Sequence, residues 1–138
     1  MPLTLIVTEG LLPQHRHQDT LARLAGAFLR LHGLENNDFL VPNVVGYVQA
    51  IPQGSACGGA GATPIAVVEW LTPSFAFASR GTQQAYVLEA TEIVFEACGG
   101  RQPREKIWVN VKHAVDGTWG IGGKAYSNAE LSAAIASA

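Results

Sequence analysis

The sequence predicts an α/β (α+β) fold: two tandem β-α-β units forming a four-stranded mixed sheet with two helices on one face. Three observations carry this expectation. A short run rich in apolar and β-branched residues, then a helical apolar stripe, then a second strand-like run occurs in the first half of the chain and again in the second. Both helical stripes end at glycine, Gly33 in the first and Gly99-Gly100 in the second. Each unit is also long enough for a right-handed crossover between parallel strands. The 138 residues make a single domain, 1–138, with pseudo-repeats over about 2–59 and 64–123 and a C-terminal tail helix over about 127–138.

Leu3 to Thr8 reads as the first strand and ends at Glu9-Gly10. Pro13 can open a helix, because a first-turn proline loses no intrahelical bond. Leu21, Leu24, Phe28 and Leu31 then recur at helical spacing along one face. Val44 to Ile51 is the second strand, and residues 53–63, rich in Gly, Ala and Ser, form a connector. Pro64 to Leu71 answers the first strand. A helix from about Gly81 to Cys98 buries Tyr86, Ala90, Ile93 and Ala97, and Lys106 to Lys112 is the next strand. Ser127-Asn128-Ala129-Glu130 fits a capping box before the tail helix. Arg16, Arg23 and Arg30 share a face of the first helix, while Glu89, Glu92 and Glu96 line the second. These faces either meet, with Arg23 and Glu92 as the test pair, or are both solvated.

Apolar residues make up 48% of the chain and charged residues 14%, against about 25% charged in ordinary globular chains. So little polar cover implies that part of the surface is hidden between subunits. A net charge of −2 argues against nucleic-acid or membrane-surface binding driven by bulk charge. No run approaches the ~20 apolar residues of a membrane span, and Met1 to Val7 lacks the basic start of a signal peptide. A cytoplasmic protein is expected. Cys57 and Cys98 are too few for a disulfide framework or zinc site and read as buried packing groups. His15 and His17, two apart, make a poor metal pair, so neither metal nor cofactor is expected.

Pro2 either opens the first strand or, once the initiator methionine is removed, presents a secondary amine. An apolar pocket disfavours the charged form of such an amine and lowers its pKa. The neutral amine can remove a proton alpha to a carbonyl and return it at another carbon. With Met1 in place the nitrogen is an amide and cannot act as a base.

Pro2, the doubled strand–helix–strand unit and Trp119-Gly120-Ile121-Gly122-Gly123 after the last long strand together resemble the tautomerase superfamily, over roughly residues 2–126. Its members include 4-oxalocrotonate tautomerase, malonate semialdehyde decarboxylase and macrophage migration inhibitory factor. The resemblance implies a homotrimer acting without a cofactor on a small carbonyl or carboxylate substrate, with Pro2 as catalytic base. It also implies that Trp119 forms an apolar wall beside the proline. Ile107-Trp108-Val109-Asn110 is similar to a strand of the same superfamily, which implies Trp108 and Asn110 near the pocket, Asn110 hydrogen-bonding a substrate oxygen. By the same resemblance Asp38 assists the proline and Arg80 holds a carboxylate; the segment around Phe75 and Phe77 itself reads as an apolar lid.

The chain departs from the superfamily where arginines are expected. It has Glu9-Gly10-Leu11 after the first strand, and only Arg80 follows Pro73 to Ser79. A less acidic, aromatic or otherwise bulky substrate is therefore expected. Three functions remain open at this stage: a proline-base tautomerase, or a decarboxylase or hydratase of the same superfamily; a non-catalytic binding or assembly domain; and an unrelated ferredoxin-like module.

Overall fold

A computed structural model describes residues 1–138. In chain order it contains β1 (Pro2–Thr8), α1 (His17–His32), β2 (Val45–Ile51), the two-residue strands β3 (Cys57–Gly58) and β4 (Gly61–Ala62), β5 (Ala66–Thr72), α2 (Arg80–Ala97), β6 (Ile107–His113), β7 (Trp119–Ile121), β8 (Lys124–Tyr126) and α3 (Asn128–Ala136). The main sheet runs β2-β1-β5-β6. β1 is parallel to β2, β5 is parallel to β6, and the two units join antiparallel through β1 and β5. This is the mixed four-stranded sheet that the doubled pattern predicts.

Strand alternation decides what each side of the sheet does. Leu3, Leu5 and Val7 of β1 and Ala66, Val68 and Trp70 of β5 are buried toward the helices, while Pro2, Thr4 and Ile6 turn to the opposite face. Phe28 from α1 and Tyr86 from α2 meet Trp70 in the core, with ring centroids 4.7 Å and 6.1 Å from it. The Trp70 indole N–H donates to the Tyr86 hydroxyl at 2.6 Å, which in turn donates to the Leu24 carbonyl oxygen at 3.2 Å. One phenol thus satisfies two buried groups and ties both helices to the sheet. Burial pushes its pKa above the ordinary tyrosine range.

The arginine and glutamate faces meet within one chain, in an order different from the expected one. Arg23 pairs with Glu96 at 2.6 Å and Arg30 with Glu89, while Arg16 donates to the carbonyl oxygens of Glu96 and Ala97. Glu92 instead pairs with Arg104, whose guanidinium holds the carboxyl below the usual range. Other details also differ. The chain after Pro13 makes a 3-10 turn over Gln14–Arg16 before α1 begins, and the connector contains the small β3–β4 ladder. Cys98 is buried as expected, but Cys57 lies exposed in that ladder because no helix covers it. Gly33 closes α1 with φ 65°, the left-handed conformation that a residue without a Cβ adopts freely.

α3 is set by the expected capping box, Ser127 with Glu130. It is fastened by buried Asn37, whose amide donates to the carbonyl oxygens of Ile135 and Ala138 while its oxygen accepts from the Leu40 N–H. Asn37 is thus an anchor for the tail helix. No helix is long and apolar enough to cross a membrane.

Tyr86→Phe leaves the Trp70 N–H and the Leu24 carbonyl without their shared partner. It is expected to lower unfolding stability by about 1–3 kcal/mol, seen as an earlier urea midpoint with an unchanged slope.

Candidate active site

The beginning of β1 lines a pocket of about 430 Å³. Its walls come from distant parts of the chain: Met1 and Pro2, Asn43 and Val45 at the entry to β2, Leu71 near the end of β5, and Thr118 to Gly122 around β7. The sheet register explains the first group. Pro2 is paired with Val45 across the parallel ladder, and Leu71 follows Trp70, which faces Leu3 across the antiparallel one. Val45 and Leu71 therefore flank the proline on the outer sheet face. The second group arrives on a hairpin. Gly122 and Gly123 have φ of 59° and 84°, the positive values that a two-residue hairpin loop between β7 and β8 requires.

The chain terminus in this pocket is desolvated. Met1 is only 7% exposed, its α-amine donates to the Asn43 carbonyl oxygen, and its own carbonyl accepts from the Val45 N–H at 3.3 Å. Burial pulls the α-amine down to about 6 from the ordinary value near 8. Trp119 is buried on the opposite wall, and its indole N–H has no hydrogen-bond partner. No acidic or guanidinium side chain lines the pocket. With no charged side chain in its wall, the pocket favours a neutral amine.

Of the residues singled out in the sequence, Pro2 and Trp119 come together here. Trp108 and Asn110 lie on the exposed outer face of β6, away from the proline. Asn110 is paired with Glu69, which faces Thr4; Trp108 is paired with Val67, which faces Ile6. Asp38 is exposed in the segment between α1 and β2. Arg80 is exposed at the first turn of α2, where it donates to Gln83. The expected lid over Phe75 and Phe77 is instead a 3-10 turn, Ser74–Phe77. Phe77 is 4% exposed and packs on Tyr86 and Phe28 in the core, because the turn tucks it under the sheet. Phe75 borders a separate cavity.

Asn43, Val45 and Leu71 carry no motif and were invisible in the sequence. Strand alternation could have indicated that Val45 and Leu71 share a face with Pro2, but only the register brings them beside it.

No protein-family profile matches the chain, and no curated protein matches it in sequence. Solved structures do match over nearly its full length. Pt0534 inactivated by 2-oxo-3-pentynoate superposes with a TM-score of 0.72 at 17% identity, over 95% of this chain and 98% of that one. The R7 fused 4-OT wild-type asymmetric trimer gives 0.73 at 16% identity, over 96% and 99%. Macrophage migration inhibitory factor of Toxoplasma gondii gives 0.68 at 12% identity, over 91% and 100%. With the sheet order and the placement of Pro2 at the start of a strand, these likenesses show that the chain has the fold of the tautomerase superfamily, built as two β-α-β units in one polypeptide.

Proposed function

We propose that the protein is a cofactor-independent tautomerase in which Pro2, exposed by loss of Met1, acts as general base on a small 2-oxo or enol acid. The observation that carries this is the position of Pro2 in the wall of a pocket shared with Trp119 and Leu71, with no charged side chain in its lining, at a chain terminus buried enough to lower the Met1 α-amine to about 6. A prolyl amine desolvated by that pocket is shifted toward its neutral form and could move a proton between carbon atoms of a bound enol. That Pt0534 is inactivated by a 2-oxo acid supports this substrate class. Decarboxylation or hydration through Asp38 and Arg80 gains no support from their exposed positions.

The same reading includes a homotrimer. The outer sheet face leaves Val45, Tyr47, Leu71 and Trp108 between 37% and 56% exposed, an apolar surface that a lone chain would hold in water. Fused 4-OT, similar in fold, is a trimer. A neighbouring copy on this face would bring Trp108 and Asn110 toward a pocket they do not reach in their own chain. A binding domain without chemistry is the competing reading: no arginine lines the pocket, and a retained Met1 would leave the Pro2 nitrogen an amide.

Mass spectrometry separates the two, since the tautomerase must lack the methionine. Pro2→Ala is expected to slow ketonisation of an enolpyruvate by at least about 100-fold; an undiminished rate would remove Pro2 from the mechanism. Because the neutral amine is the working form, kcat/KM should rise with pH through a depressed pKa near neutrality and be lost in acid. A profile rising only in the ordinary range of an exposed prolyl amine would contradict the desolvated base. Trp119→Phe breaks no hydrogen bond within the chain, so it should cost less than the roughly 3–5 kcal/mol of a tryptophan-to-alanine change in the core, as read by denaturant unfolding.

A further inference from the structure

Met1 belongs to two cavities at once. Its main chain borders the 430 Å³ pocket through Pro2, Asn43 and Val45. Its side chain follows the alternation of β1, on the same side as Leu3 and Leu5, and so points to the helix layer. There it borders a second cavity of about 160 Å³ lined by Phe28, Leu34, Leu40, Phe75 and Ile135, with exposed Ser132 at the rim. His32 also lines it, with its ring nitrogens 2.7 Å and 2.6 Å from the carbonyl oxygens of Phe28 and Ala76, so the ring is the one polar side chain in an otherwise largely apolar wall inside the rim. Met1 is therefore the partition between the pocket at the proline and a second chamber beneath α3.

We propose that this chamber is a substrate subsite: once Met1 is cleaved, the seat of its side chain takes an unbranched or flat apolar substituent of the substrate. The inference rests on the reading that Pro2 is the mature N-terminus, and deepens it by naming the substrate class. Covalent continuity is the main support. The bonds of Met1 lead from the Pro2 nitrogen into the chamber, so removing that residue leaves an uninterrupted path between them. Its chemistry is the second support, because a chamber walled by two phenylalanines, two leucines and an isoleucine favours hydrocarbon or thioether groups. The Val45 N–H, released from the Met1 carbonyl, remains at the other end to meet a substrate oxygen. The favoured substrates are 2-oxo or enol acids with an unbranched or flat apolar tail, the 2-oxo analogue of methionine among them.

The test uses protein shown by mass to begin at Pro2, both unaltered and as Pro2→Ala. Its affinity is measured for pyruvate, 2-oxobutanoate, 2-oxopentanoate, 2-oxohexanoate and 4-methylthio-2-oxobutanoate. Affinity should rise about fourfold per added methylene in both proteins, and a tert-butyl-substituted 2-oxo acid of equal carbon count should gain little. Protein that keeps Met1 should show no such rise. Ile135→Phe fills the chamber and should erase the dependence on length. Phe75→Ala enlarges it from the other wall and should move the optimum to longer tails, a readout that survives even if Ile135→Phe loosens α3. A series flat in both unaltered and Pro2→Ala protein would overturn the subsite, even where Pro2→Ala abolishes turnover. A rising series with turnover untouched by Pro2→Ala would keep the subsite and remove the base.

Discussion

The rest of the structure depends on one constraint, that the first strand of the chain is also a central strand of its sheet. β1 is hydrogen-bonded to β2 on one side and β5 on the other. Proline cannot donate to a ladder and is tolerated in such a place only at the first residue of the strand. Pro2 occupies that residue. The position fixes its surroundings, because whatever neighbours the start of β1 must come from β2, from β5, or from chain folded across the end of the sheet. The pocket walls have these three origins, and a terminus held among them has little access to water.

The second half of the molecule closes that end of the sheet. The β7–β8 hairpin brings Trp119 to the proline, and α3 folds back over the segment between α1 and β2. Buried Asn37 makes the attachment specific, with its amide and its oxygen all engaged by backbone. Ion pairs contribute differently. Those between α1 and α2 are largely exposed, so they orient the helices while the apolar interior supplies most of the driving force. In that interior the Trp70–Tyr86–Leu24 relay lets two aromatic side chains be buried without an orphaned polar group.

The fold was legible in the sequence because its signals are local. Strand and helix periods, glycine stops after His32 and Cys98, and the Ser127–Glu130 cap each act over a few residues, and the corresponding elements form. The candidate site was legible in part. Pro2 and Trp119 stood out by residue type and motif, and they share a pocket. Phe77 was misplaced because an aromatic near a helix start reads equally well as a lid or as core, and only the 3-10 turn of Ser74–Phe77 decides for core. Helix spacing identifies a face but not which partner reaches across it: Glu92, the test partner for Arg23, is taken by Arg104 from outside both helices. Trp108 and Asn110 sit on an open face of β6, and the pocket at Pro2 does not include them.

What the sequence determined by itself was the doubled unit, its helices and strands, and the residue that begins the first strand. These follow from periodicity, from backbone-restricted residues and from caps, all short-range effects. The tertiary structure alone decided the antiparallel joining of β1 to β5, the flanking of Pro2 by Val45 and Leu71, and the place of the Met1 side chain between two cavities. Those outcomes depend on strand register and on packing between residues far apart in the chain, and no local pattern encodes which distant side chains will share a wall.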